Sequence, residues 1–117
     1  LTVPPTLGDR LFHILEAIEN IQSILLDRSI ADVSNSLHTR LALERLFEIV
    51  CEASRDVPND IKAREADIDW QHMTDLGNLL RHAYHRVDVS RLMQIAQNDL
   101  PTLKAFVQKT VDEETKR

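Results

Sequence analysis

The chain has 117 residues, 43% hydrophobic and 28% charged, with a formal net charge of -5 and only two glycines and four prolines. This composition excludes a disordered segment, and the shortage of turn formers excludes a sandwich or barrel of many short strands. The acidic balance excludes a protein that coats nucleic acid through a broad basic surface, because that mode neutralises many phosphates, but it leaves room for a local basic site.

One domain is expected at this length, long enough to bury a core and short enough to gain from association with a second copy. The opening "LTVPPTLGD" reads as a tail over residues 1–8 and lacks the basic and apolar regions of a secretion leader. Helix one is expected over about 9–27, where Leu11, Ile14, Leu15, Ile18, Ile21 and Leu25 recur at helical spacing and Gly8 or Asp9 is available as a cap. Helix two is expected over about 35–56, through Leu37, Leu41, Leu43, Leu46, Phe47, Val50 and Cys51, after a serine- and aspartate-containing stretch suited to capping. Lone Cys51 in this apolar run reads as a buried free thiol, which fits a reducing cytoplasm.

Pro58 interrupts the pattern, and "PNDIKAREADID" reads as a short helical turn followed by a loop. Asp69 is a good cap for helix three, whose apolar side is Trp70, Met73, Leu76, Leu79, Leu80 and Ala83. Asp88 or Ser90 can cap the last segment, which Pro101 should kink or break near residues 98–100, since proline lacks a backbone donor and clashes with the preceding turn. The expected architecture is all-α, an antiparallel bundle of four or five helices over residues 9–115. No apolar run approaches the roughly 18 residues that a membrane span needs.

Gly77 stands in the interior of helix three, where glycine costs about 1 kcal/mol relative to alanine. Its presence points either to a close backbone approach or to a place where a larger side chain is missing. The stretch it opens, "GNLLRHAYHRVD", carries most of the chain's chemistry. On a continuous helix Asn78, Arg81, His82 and His85 fall along one stripe, with Tyr84 beside it and Arg86 just beyond.

His82 and His85 have a spacing that can share a metal ion, with His72 further back, but there is no HExxH and no CxxC, so no metal and no cofactor is expected. Metal-free RNA cleavage needs a group to take the 2′-OH proton, one to protonate the leaving oxygen, and cations to offset charge on the transition state. A histidine with arginines nearby is a minimal kit, because histidine changes charge near neutrality. His82 with Arg81 and Asn78 meets the description, and His85 and Arg86 could add to it. The bland alternative is a solvated helix face, or a polar dimer seam in which the histidines satisfy hydrogen bonds, with Tyr84 a core-edge residue. His13 and His38 read as helix-surface or boundary residues.

Three stretches in order, "RLALERLFEIVCEASRDVP", "IDWQHMTDLGNLLRHAYHRVD" and "LPTL", resemble the HepT-like toxins of the HEPN superfamily, small helical ribonucleases paired with minimal nucleotidyltransferase antitoxins. The family motif is an arginine, usually an asparagine, three variable residues, then His-x-Tyr. "GNLLRHAY" supplies Asn78, His82 and Tyr84 in register, with Gly77 at the arginine position. The resemblance implies a homodimer with motif helices facing across a composite RNA cleft, a nucleotidyltransferase partner, and Tyr84 as an acceptor of AMP that would oppose RNA binding. Two readings follow: a metal-independent endoribonuclease toxin using His82, Arg81 and Asn78, or a catalytically degenerate HEPN-like protein that binds a nucleotidyltransferase or a nucleotide without cutting.

Overall fold

The structure, a computed structural model, describes residues 6–116 and within them every side chain but that of Tyr84; residues 1–5 of the expected tail lie outside the described residues. Seven α-helices and one 3-10 turn are formed, with no strand among the described residues. The all-α bundle is therefore as composition implied. Five helices are long: α1 (Leu7–Leu25), α3 (Leu37–Arg55), α5 (Trp70–His82), α6 (Val89–Asn98) and α7 (Leu100–Thr115). Two short ones, α2 (Ile30–Ser34) and α4 (Asn59–Lys62), lie in the connections. No helix is long and apolar enough to cross a membrane among the described residues.

Local chemistry sets the boundaries. Thr6, rather than Gly8 or Asp9, caps α1: its hydroxyl accepts from the Asp9 backbone N–H at 3.1 Å while the Asp9 carboxylate accepts from the Thr6 N–H at 2.9 Å. The helix accordingly starts at Leu7. Ser29 and Asp32 form a second reciprocal pair, which turns the presumed capping stretch into α2, and Ser36 caps α3. Between α1 and α2, Asp27 takes the left-handed conformation at φ 59°, which aspartate tolerates better than most residues. Asp69 and Asp88 cap α5 and α6 as the sequence suggested, accepting from the His72 and Arg91 N–H groups. Pro101 divides the last segment: α6 stops at Asn98, and the proline falls in the first turn of α7, where its missing N–H has no intrahelical partner to lose.

The core forms around α1, which packs against α3, α7 and α6. Leu11, Ile14, Ile18 and Ile21 are fully enclosed, meeting a core that includes Leu43, Phe47 and Val50 of α3 and Leu103 and Val107 of α7. By contrast α5 lies at the side of the bundle with α3 as its main neighbour. Its first turn is pinned elsewhere. The Trp70 ring meets Phe106 of α7 edge to face, with centroids 5.6 Å apart; its indole N–H donates to the Lys62 carbonyl at 3.3 Å, and the Lys62 ammonium lies 5.5 Å above the ring.

Replacing Ile18 with alanine should cost about 2–5 kcal/mol in urea unfolding, through lost burial and an unfilled cavity. Thr6→Ala should cost about 1 kcal/mol, the usual size for a lost cap. The reverse order would mean that α1 is not the centre of the core.

Candidate functional site

Because each helical residue turns about 100°, α5 presents two distinct faces. Leu76, Gly77 and Leu80 are buried, whereas Asn78, Arg81 and His82 are exposed. Asn78 and His82, four apart, stack on adjacent turns of the exposed face, and Arg81 lies beside them toward α3.

The seam between α5 and α3 explains Gly77. A Cβ built there would lie 2.8 Å from the Cβ of Cys51, closer than real Cβ atoms come, and the obstacle is the root of a side chain that cannot swing away. Close approach of two helices is therefore the reason for glycine, and no larger side chain fits without moving them apart. The position that carries arginine in the HEPN motif is, in this chain, part of the buried seam. Burial of Cys51 pushes its thiol up to about 12; the carboxylates of Glu48 and Glu52 push the same way, while the Arg81 guanidinium and a hydrogen bond from the Gly77 backbone oppose them. Arg81 is thus close enough to the seam for its charge to reach the thiol.

The expected stripe ends sooner than a continuous helix would allow. Ala83 leaves helical geometry at φ -146° and ψ 46°, its N–H donating to the Leu79 carbonyl at 2.7 Å, and Tyr84–Arg86 form a separate 3-10 turn. The structure therefore brings Asn78, Arg81 and His82 together on α5 and carries exposed His85 and Arg86 on the turn that follows. The spacing of His82 and His85 as neighbours on one helix does not survive this break. The side chain of Tyr84 lies outside what the structure describes.

A feature with no counterpart in the motif lies further back on α5. His72 Nε2 is 3.4 Å from a terminal guanidinium nitrogen of Arg91 on α6. The two line a groove of about 490 Å³ that also takes in Leu79 and Arg86. His72 also borders a more enclosed cavity of about 340 Å³ whose lining mixes apolar residues, among them Phe47, Met73, Leu76 and Leu103, with Asp67, Asp69 and Asp99. Sequence spacing could not reveal this pairing, because the register of α6 against α5 is tertiary.

The structure is thus a helical bundle whose side helix ends in an exposed Asn-x-x-Arg-His cluster. The chain is a member of the ribonuclease HepT-like family, whose model matches residues 14–110. A Thermococcus cleftensis protein named "Probable ribonuclease HepT" is 37% identical over 101 residues, which is 86% of this chain and 92% of that protein. A Methanocaldococcus jannaschii protein named "Putative RNase MJ1380" is 32% identical over 98 residues, 84% of this chain and 90% of its own length. No solved structure gives a significant match.

Gly77→Ala should destabilise the fold by about 1–3 kcal/mol through overpacking, although alanine is the better helix former. In a Cys51→Gly background, which removes the obstructing Cβ, the same change should become neutral or stabilising. A double-mutant cycle in urea measures this coupling, and simple additivity would contradict the seam. A separate check is alkylation at pH 8: the native thiol should react only as fast as the protein unfolds.

Proposed function

We propose that the chain is a metal-independent endoribonuclease toxin that works as a homodimer and is silenced by a nucleotidyltransferase antitoxin. The observation that carries this reading is the joint exposure of Asn78, Arg81 and His82 at the end of α5, in a chain of the ribonuclease HepT-like family. His82 acts as general base or acid on the ribose and leaving oxygens, Arg81 offsets charge on the phosphorane-like transition state, and Asn78 positions the phosphodiester. His85 and Arg86 add donors from the adjacent turn.

An exposed site of this kind gains from a second surface. Two copies facing each other across α5 would bring two sets of these side chains into one groove, raise the local positive potential on an acidic body, and exclude water from the reacting phosphate. AMP placed on Tyr84 by the partner enzyme would add negative charge and bulk beside that groove and oppose RNA entry.

The alternative, a HEPN-like protein that binds its nucleotidyltransferase or a nucleotide without cutting, draws support from Gly77. The contact with Cys51 keeps a guanidinium out of the motif's first position, so catalysis depends on Arg81 standing in from one turn further on.

Cleavage of a mixed RNA pool by unmodified protein in EDTA separates the two. Under the leading reading the wild type cuts, and His82→Ala loses at least about 100-fold in rate. Its stability should stay within about 0.5 kcal/mol of wild type, because the side chain is exposed. An inert wild type, with Tyr84 shown by mass to be unmodified, would leave the binding reading in place.

A further inference from the structure

We infer that His72, Arg91 and the adjoining cavity form a nucleotide subsite, holding an RNA phosphate in the groove and an unstacked guanine base in the pocket. The inference rests on the proposal that the exposed face of α5 acts on RNA. It adds a second place where the strand is held, and a base that is read there.

The phosphate end follows from charge. Arg91 and Arg86 enter the groove from α6 and from the turn after α5, and the Arg91 guanidinium is poised at His72 Nε2. A guanidinium can only donate, so in this contact the imidazole nitrogen accepts. A phosphate oxygen arriving between them offers a better acceptor to Arg91, and a change of the neutral ring to its other tautomer, with the proton on Nε2 instead of Nδ1, makes His72 a second donor. The carboxylates that face the groove are Asp75 and Asp88. Both are engaged, Asp75 accepting from the Gln71 amide and Asp88 from the Arg91 backbone N–H. Among the described residues neither carboxylate forms an ion pair with Arg86 or Arg91, so both guanidiniums can meet an external anion.

The base end follows from shape and from one carboxylate. The cavity lies at the lower end of the roughly 300–1,000 Å³ typical of small-ligand pockets, and Phe47, Met73, Leu76 and Leu103 in its lining suit the face of a flat ring. Asp99, an exposed residue at the N-cap position of α7, makes no capping bond there and lines this pocket. Guanine presents two adjacent donors, N1–H and the 2-amino group, which match the two oxygens of a carboxylate; the other RNA bases do not offer that pair. The cavity end carries three carboxylates, Asp67, Asp69 and Asp99, and no arginine, whereas the groove sets Arg86 and Arg91 against Asp75 and Asp88, so the balance of charge places the phosphate in the groove. Splaying a base out of a single strand into such a pocket is the common way that RNA sequence is read.

Position completes the case. His72 and His82 are on the same helix, about 15 Å apart along its axis at 1.5 Å per residue. The base read here is consequently a neighbour of the scissile nucleotide and not the one being cut.

The test uses fluorescein-labelled 2′-O-methyl oligoribonucleotides, which cannot be cleaved through the 2′-OH, with guanine or hypoxanthine at one position between pyrimidines. Binding is followed by fluorescence anisotropy across a salt series. Arg91→Gln should weaken binding about tenfold and reduce the slope of log affinity against log salt by about 0.7, the loss of one phosphate contact. The wild type should favour guanine over hypoxanthine, which lacks the 2-amino group, by about tenfold. Asp99→Asn should erase that preference; the variant should fold normally because the native carboxylate makes no capping bond and asparagine is itself a good cap. Unchanged affinity and slope in Arg91→Gln, or equal binding of the two bases by the wild type, overturns the subsite. The outcome is separable from catalysis. Cutting that Arg91→Gln leaves untouched sinks the subsite alone, whereas Arg91-dependent binding by a protein that never cuts sinks the nuclease reading alone.

Discussion

The contact between Gly77 and Cys51 is the constraint on which the arrangement of α5 depends. A helix lying on the side of a bundle can roll about its axis unless something fixes its rotation. Here two contacts do so. The Trp70 ring holds the first turn against α4 and α7, and the bare backbone of Gly77 lets the middle of α5 settle onto α3 at a distance that any other residue would prevent. With rotation fixed, Leu76 and Leu80 enter the core while Asn78 and His82 turn outward. The cost of glycine in a helix, about 1 kcal/mol, is offset by closer packing at the seam.

The exposed cluster is electrostatically modest in a single chain. Charges in open water are screened over about 10 Å at moderate ionic strength, and hydrogen bonds made there exchange with solvent. The same groups become more effective where a second surface removes water and a phosphate arrives, since the local dielectric falls and the donors need no reorganisation. Placement at a helix end helps in one further respect. Arg81 and His82 occupy the last turn of α5, where unpaired carbonyls give the helix its negative end and favour cationic side chains. Those carbonyls also disfavour an approaching phosphate, so under the proposed function an RNA backbone would meet the flank where the guanidinium lies.

Much of the fold was legible because it rests on local chemistry. The period of Leu11, Ile14, Ile18 and Ile21 marks the buried side of α1, Asp69 and Asp88 announce helix starts, and Pro101 announces a break. Where reading by residue fell short, a longer-range or competing contact decided the outcome. Thr6 outcompeted Gly8 and Asp9 as a cap because a reciprocal pair satisfies two backbone donors, and Ser29 with Asp32 made a helix of a stretch that looked like a cap for its neighbour. The shared exposure of Asn78, Arg81 and His82 was legible from helical spacing. The place of His85 was not, since the break at Ala83 has no proline or glycine to signal it. The pairing of His72 with Arg91 was out of reach for another reason: the two residues are on separate helices, and only packing sets their register.

Gly77 admitted two explanations in the sequence, close approach or a missing side chain, and the seam shows that they are linked. A seam in which a Cβ on Gly77 would lie 2.8 Å from the Cβ of Cys51 has no room for arginine, so the close packing accounts for the missing motif charge. Arg81 is four residues on, one turn of about 6 Å along the axis and nearly in line with Gly77, so a guanidinium is retained on the same flank of α5 but nearer to His82. An arginine beside the imidazole, instead of a turn below it, places its positive charge close to the oxygens that the imidazole would serve. In this chain glycine stands in the seam and Arg81 at the rim, so α3 and α5 pack tightly while positive charge stays at the exposed end of the helix.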